Sequence, residues 1–231
     1  MDAFLTPDEW TAVGLTLRIA ARSVAVGLPV ALAVAFLLAR GRFPGRAALD
    51  ALVHLPMVLP PVVVGWLLLL LFGVRGPIGA LLQDWFAIRL VFTANGAALA
   101  CAVMAFPLMV RAIRLSLEAV DPGLEQAART LGAGPLDRFL TVTLPLAAPG
   151  VLVGGIVGYA ACLGEFGAVI TFAANIPGQT QTLPLAIYAA LQTPGGEAVA
   201  ARLSLVSVVL AVCGLLLAEW AGRRLRRRVG R

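Results

Sequence analysis

Val24–Ala39, with the sequence VAVGLPVALAVAFLLA, is a continuous apolar stretch without a charged side chain. Extended back to Val13, it is long enough for a helix that crosses the hydrocarbon core of a membrane, which requires about 20 mainly apolar residues. The whole chain agrees, because 60% of its 231 residues are hydrophobic and 13% are charged. Soluble domains are about 45–50% apolar and about 25% charged. A soluble core of this size cannot bury such an excess, so the sequence predicts an all-α integral membrane protein.

Four further apolar segments bring the prediction to five membrane spans within a single transmembrane domain, residues 1–231. The additional segments are Ala51–Val74, Leu90–Val110, Leu146–Thr171 (interrupted only by Glu165) and Leu203–Ala218. Thr182–Leu191 is also apolar, but it is only half the length of a span and is flanked by prolines and glycines. We expect a short re-entrant or interfacial helix there rather than a sixth crossing.

The distribution of arginine predicts the orientation of the spans. All 18 basic residues are arginine, and thirteen of them lie in the loop 40–50, the stretch 111–143 and the tail 222–231. Five lie on the other side, including Arg18 and Arg22, which are able to extend from a helix end to the lipid head groups. Because cytoplasmic loops are enriched in basic residues, we expect the N-terminus outside and the C-terminus in the cytoplasm. The basic tail then fixes the last span, with binding of anionic lipid as the alternative.

Several kinds of chemistry are excluded by residues that the chain lacks. Without lysine it cannot form the Gly-Lys-Ser/Thr phosphate loop of an ATPase. His54 is its only histidine and lies near the predicted cytoplasmic start of the second span, where we expect a packing or interfacial role rather than a proton relay. Cys101, Cys162 and Cys213 lie in apolar runs without neighbouring ligands and are expected to be buried thiols. We therefore predict no catalytic residue, metal site or cofactor in this chain, and arginines gathered between spans argue against nucleic-acid binding.

The longest predicted cytoplasmic stretch between spans is Leu117–Gly150. Asp121 can cap a helix that begins at Pro122, and Gly132 supplies a C-terminal stop before a second helix starts at residues 134–135. An apolar stripe with helical spacing runs along the first helix and consists of Leu124, Ala127, Ala128 and Leu131. The stripe could pack on the protein's own spans, lie on the membrane surface or insert into a groove of another protein. Periodicity alone leaves these three interpretations open.

The run from Glu125 to Ala133, EQAARTLGA, closely resembles the EAA loop of binding-protein-dependent ABC importers. Glu125, Ala128 and Gly132 match the characteristic glutamate, alanine and glycine, while Gln126 replaces the first alanine of the motif. The resemblance implies that residues 117–145 form a cytoplasmic coupling loop whose helices sit in a cleft of an ATPase subunit. The ATPase-coupling residues that it implies are Leu124, Glu125, Gln126, Ala127, Ala128, Thr130, Leu131, Gly132 and Ala133.

Four other stretches narrow the resemblance to molybdate permease subunits. They are residues 54–65, 106–114, 163–168 and 192–197. The likeness implies a non-enzymatic permease, multi-pass in a bacterial inner membrane, that pairs with a second copy. It also implies two ABC ATPase subunits, which bind ATP and Mg, and an external molybdate-binding protein. Tungstate and sulfate permeases are similar and remain alternatives. A self-contained secondary transporter is disfavoured, because the two halves show no internal repeat.

Polar residues in the apolar segments and near the predicted outer mouth are candidates for the translocation pathway or its gate. They are Glu165, Thr171, Asn175, Thr180 and Thr182. An ionisable residue within a membrane segment usually faces the bundle interior or a cavity. Because a carboxylate repels an anion, we expect Glu165 to make a structural pair or a gate-shaping hydrogen bond. For each of the others, a hydrogen bond to the local backbone is the competing interpretation.

Overall fold

The computed structural model describes residues 4–229, except for the side chains at positions 215, 218, 219 and 221–229. This part of the chain is helical and contains no strand, which confirms the all-α prediction. The helices are α1 (Pro7–Arg40), α2 (Arg46–Val58), α3 (Pro61–Phe72), α4 (Pro77–Phe86), α5 (Ala94–Glu118), α6 (Pro122–Thr130), α7 (Pro135–Arg138), α8 (Leu144–Leu163), α9 (Gly167–Ala173), α10 (Leu183–Leu191) and α11 (Glu197–Val229), with a π-helical turn at Phe139–Thr143 between α7 and α8. The side chains of the basic tail lie outside the described residues.

Four helical stretches of the described chain are long and apolar enough to cross a membrane, and a bent pair of helices makes up to five. The four are Pro7–Arg40, Ala94–Glu118, Pro135–Leu163 and Glu197–Gly214. The first has 34 residues and is about 51 Å long at 1.5 Å per residue. The prediction of about five spans is confirmed.

The second predicted span, Ala51–Val74, is the bent pair and is not one continuous helix. It is broken into α2 and α3, whose axes differ by 118°. Pro60 and Pro61 cause the break, because neither has an N–H to donate and each disfavours helical backbone in the residue before it. Leu59 accordingly has an extended backbone, and Pro61 becomes the first residue of α3.

The fourth predicted span, Leu146–Thr171, also ends earlier than expected. Helix α8 stops at Leu163, and a short loop containing Glu165 separates it from α9. The Glu165 carboxylate Oε1 accepts a hydrogen bond of 2.9 Å from the backbone N–H of Ala168 in the first turn of α9. A carboxylate at this position satisfies a donor that the helix leaves free. Glu165 therefore lies in a break between two helices and stabilises the first turn of α9.

Helix α10 confirms that Thr182–Leu191 contains a short helix and not a sixth crossing. It has nine residues, which is too few to span the hydrocarbon core. Leu183, Leu185 and Ala186 are buried against the bundle. The backbone N–H of Leu183 donates to the buried Thr16 hydroxyl of α1 at 2.7 Å. Whether α10 is re-entrant or interfacial stays a prediction.

The centre of the bundle is formed by α1, α5 and α8. Small residues let these helices approach closely, as is common in membrane bundles. Gly154 and Gly158 of α8 face α5, and a Cβ atom on Gly158 would lie 2.7 Å from Cγ of Met109. Cys101 and Cys162 are buried here as expected, but Cys213 is exposed, so its predicted burial was wrong. The close α5–α8 packing brings the end of α5 beside the start of α8 and determines where their connection lies.

Candidate functional site

The connection between α5 and α8, residues 119–143, contains α6, α7 and the π turn and forms one end of the bundle. Helix α6 begins as its residues predict. The Asp121 carboxylate accepts a 2.7 Å hydrogen bond from the backbone N–H of Gly123, and Pro122 occupies the first helical position. Glu125 lies in the first turn, where a negative charge interacts favourably with the helix dipole.

The end of α6 is a Schellman motif built on Gly132. This glycine has φ +89°, in the left-handed region that residues with a Cβ avoid. Its N–H donates to the Arg129 carbonyl at 3.0 Å, and the N–H of Ala133 donates to the Ala128 carbonyl at 3.0 Å. These two bonds satisfy carbonyls that a helix end otherwise leaves free. The position of Gly132 fixes the direction in which the chain leaves α6.

Helix α6 has no buried residue, and large apolar side chains project from it and from the following turns. Leu124 is 48% exposed and Leu131 is 88% exposed. Leu136 of α7 and Leu140 of the π turn are 70% and 51% exposed. We call these four leucines the leucine patch. Leu124, Ala127 and Leu131 of the predicted stripe are therefore exposed rather than packed on the protein's own spans, whereas Ala128 is partly buried. Large exposed apolar side chains on a predicted cytoplasmic loop are candidates for an interaction surface.

Glu125 differs from the leucines because its side chain turns toward the bundle. Its Oε1 lies 3.1 Å from Nη2 of Arg40, the last residue of α1, and accepts a 2.9 Å hydrogen bond from the hydroxyl of Thr143. The same Arg40 nitrogen donates to the Val120 carbonyl at 3.2 Å. The side chains of Arg40 and Glu125 are about three-quarters buried, at 23% and 25% exposure. One carboxylate thus joins α6 to α1 and to the residue before α8.

The remaining residues assigned by the EAA resemblance are on or near the surface. Gln126, Ala127 and Thr130 are exposed, and the Thr130 hydroxyl donates to the Ala127 carbonyl of its own helix at 2.7 Å. Ala128 and Ala133 are partly buried. Sequence reasoning missed Leu136 and Leu140, because they lie beyond the nine-residue motif and their exposure depends on the direction of the π turn. It also missed Arg40, which is far from the motif in sequence.

A second group of charges lies at the same end of the bundle and joins α2 to α5. The Arg114 guanidinium is 2.9 Å from the Asp50 carboxylate and 2.8 Å from that of Glu118. His54 Nδ1 lies 2.8 Å from the Asp50 carbonyl oxygen, one turn earlier in its own helix. These contacts hold the start of α2 against the end of α5.

The predicted pathway residues are held in different ways. The Thr171 hydroxyl donates to the Gly167 carbonyl at 2.8 Å, and the Thr180 hydroxyl donates to the Ala174 carbonyl and accepts from the N–H of Ile176, both at 3.0 Å. The hydroxyls of Thr171 and Thr180 thus form hydrogen bonds with the local backbone, as the competing interpretation predicts.

Asn175 and Thr182 behave differently from those two threonines. The side-chain oxygens Asn175 Oδ1 and Thr182 Oγ1 are buried without a hydrogen-bond partner among the described residues. The Glu165 carboxylate accepts a hydrogen bond from the first turn of α9, as described above. A role of any of the five residues in transport stays a prediction.

Comparisons with known proteins agree with this architecture. Residues 11–227 match the family described as "Binding-protein-dependent transport system inner membrane component". The molybdenum transport system permease protein ModB of Escherichia coli (strain K12) is 57% identical over 227 residues, which cover 98% of this chain and 99% of that protein. The sulfate transport system permease protein CysT of Salmonella typhimurium is 42% identical over 189 residues, which cover 80% of this chain and 66% of that protein.

Solved structures show the same fold at lower sequence identity. The crystal structure of a bacterial ABC transporter involved in the import of alginate has a TM-score of 0.72 at 19% identity and covers 97% of this chain and 81% of that chain. An inward-facing structure of the MetNI methionine ABC transporter has a TM-score of 0.71 at 21% identity and covers 98% of this chain and all of that chain. The family match over residues 11–227 and the 57% identity to ModB establish that the chain belongs to the binding-protein-dependent transport system inner membrane components.

Proposed function

We propose that the chain is the permease subunit of an ATP-driven importer for molybdate. The observation that carries the proposal is the 57% identity to the molybdenum permease ModB of Escherichia coli, which extends over nearly the full length of both proteins. A sulfate importer is the second candidate, because the sulfate permease CysT is 42% identical. That similarity is lower and leaves a third of the sulfate permease unmatched.

The energy for transport has to come from another protein. The chain has no lysine and therefore no phosphate-binding loop that could hydrolyse ATP. Two ATPase subunits that bind ATP and Mg, two copies of this chain and an external molybdate-binding protein make up the proposed complex. Since ATP is available in the cytoplasm, the end of the bundle that carries α6 faces the cytoplasm. The N-terminus then lies outside, in agreement with the arginine distribution.

The leucine patch is the proposed docking surface for the ATPase subunit. Its four side chains are exposed on α6, α7 and the π turn, and burying them in a cleft of a partner would remove a large apolar area from water. Closing of the two ATPase subunits upon ATP binding would bring the two α6 helices together. The spans joined to α6 would follow as rigid bodies and open the pathway outward. The free energy of ATP binding to the partner thus shifts the equilibrium between two conformations of the permease.

The substrate assignment is tested by uptake in cells that lack their own molybdate importer and express this chain with its ATPase and binding protein. We expect uptake of molybdate that excess sulfate does not compete. Uptake of sulfate instead would overturn the molybdate assignment and support the second candidate. Uptake of tungstate without molybdate would leave the importer intact and change only the anion.

A further inference from the structure

We propose that Arg40 is a positioning residue that holds the Glu125 carboxylate toward the bundle and transmits the movement of α6 to the membrane spans. This inference rests on the proposed function, because it concerns how force applied to α6 by an ATPase subunit reaches the spans. It distinguishes Glu125, whose carboxylate contacts Arg40, from Leu124 and Leu131 of the same motif, whose side chains are exposed.

The first observation is that α6 makes few side-chain contacts with the rest of the bundle. None of its residues is fully buried. In the described chain, the side-chain hydrogen bonds that leave α6 have a single acceptor, the Glu125 carboxylate, with Arg40 and Thr143 as donors. The Thr130 hydroxyl bonds within its own helix. A displacement of α6 therefore reaches the spans through the covalent chain, through the packing of α6 on α7 and the π turn, and through Glu125.

The second observation is that Arg40 contacts both the entrance to α6 and α6 itself. Its Nη2 donates to the Val120 carbonyl at 3.2 Å, just before α6, and to Glu125 at 3.1 Å. Arg40 is the last residue of α1, a helix of 34 residues that packs along α5 and α8. Hydrogen bonds between two ionised groups are about twice as strong as neutral ones. The end of α1 is therefore joined to α6 by a direct ion pair.

The third observation is an apolar contact beside this ion pair. Phe36, one turn before Arg40, packs edge-on against Phe139 of the π turn with ring centroids 5.0 Å apart. Thr143, which donates to Glu125, is buried directly before α8. The last turn of α1 thus contacts the connection at three places. These are Val120 before α6, Glu125 within α6 and Phe139 after α7. These contacts connect the end of α1 to α6 and to the start of α8, so that we expect the three to move together.

The test uses the purified complex in liposomes, with this chain, its ATPase and its binding protein. Arg40→Ala removes the contact, and Arg42→Ala is the matched control, since Arg42 is exposed and has no ion-pair partner among the described residues. The double variant Arg40→Glu with Glu125→Arg restores an ion pair in reverse. Two quantities are measured for each: co-purification of the ATPase, and the ratio of ATPase activity with molybdate-loaded binding protein to activity without it.

We expect Arg40→Ala to keep the ATPase bound, because the leucine patch is unchanged, and to lower the stimulation ratio about five-fold or more, at the lower end of typical coupling effects. Arg42→Ala should match the wild type, and the reversed pair should regain a substantial part of the ratio. An unchanged ratio in Arg40→Ala would overturn the inference. So would loss of ATPase binding in Arg40→Ala with no recovery in the reversed pair, since that indicates a role in folding or docking. Failure of the wild-type chain to bind any ATPase would instead contradict the proposed function.

Discussion

The Arg202 guanidinium of α11 lies 2.9 Å from the Glu9 carboxylate of α1, so that residues near opposite ends of the chain are joined by an ion pair. The Glu9 side chain is only 7% exposed. Its second oxygen accepts a 2.7 Å hydrogen bond from the backbone N–H of Thr6 and completes a capping box at the start of α1. One carboxylate therefore begins the first helix and fixes the last helix against it, at the end of the bundle opposite α6.

Replacement of Glu9 by alanine is expected to destabilise the protein by about 2 kcal/mol, because it leaves the Arg202 guanidinium without its carboxylate and removes half of the capping box. Glu9→Gln should cost less, since an amide oxygen can still accept one hydrogen bond. The measurement is the thermal unfolding midpoint of the purified chain in detergent. Asp8→Ala is the control, because Asp8 is exposed and has no ion-pair partner in the described chain. Equal midpoints for Glu9→Ala and Asp8→Ala would contradict this account.

Gly132 provides a test of the Schellman motif that ends α6. Alanine at φ +89° costs about 1–2 kcal/mol through backbone strain alone, because a Cβ there would meet no other atom within 4 Å. Gly134→Ala is a matched control, since Gly134 has the same open surroundings but φ −69°. We expect Gly132→Ala to reduce co-purification of the ATPase several-fold while Gly134→Ala does not. Identical behaviour of the two variants would show that the left-handed turn is not needed for docking.

Glu165 tests whether its carboxylate acts through hydrogen bonding or through charge. Its contact with the Ala168 N–H requires an acceptor oxygen, which glutamine also supplies. We therefore expect Glu165→Gln to retain most molybdate uptake and Glu165→Ala to lose most of it, because the start of α9 then has an unsatisfied donor. Uptake by membrane vesicles, normalised to the amount of assembled complex, distinguishes the two. Equal loss in both variants would show that the negative charge itself is required.

Much of the fold could be predicted from the apolar segments, because a membrane demands about 20 such residues for each crossing. The breaks inside two segments could not be located in this way. Pro60 and Pro61 were visible in the sequence, but prolines also occur inside α1, α5 and α8 without ending them. In the consecutive pair, Pro61 disfavours helical backbone at Pro60 as Pro60 does at Leu59, and two adjacent N–H donors are missing. Glu165 was recognised as unusual, yet its hydrogen bond to the first turn of α9 depends on a backbone turn that periodicity does not reveal.

The site was predictable where it depends on local sequence. Asp121, Pro122 and Gly132 bound α6 as expected, because capping depends on the residue types themselves. The inward orientation of Glu125 was not predictable, since its partner Arg40 is 85 positions away and meets it only when α1 and α5 pack together. The motif could be recognised from local sequence, but the direction of the Glu125 side chain depends on how the helices pack.

The most direct test of the central claim, that α6 and the leucine patch join this chain to an ATPase, is binding-protein-stimulated ATPase activity of the complex with Leu131→Asp. Leu131 is 88% exposed, so the change should leave the fold intact. Ala47→Asp is the control, because Ala47 is exposed in the first turn of α2, where an acidic residue is favourable. We predict that Leu131→Asp accumulates in the membrane at the wild-type level and loses ATPase binding and stimulation, whereas Ala47→Asp keeps both. Normal stimulation in Leu131→Asp would contradict the account.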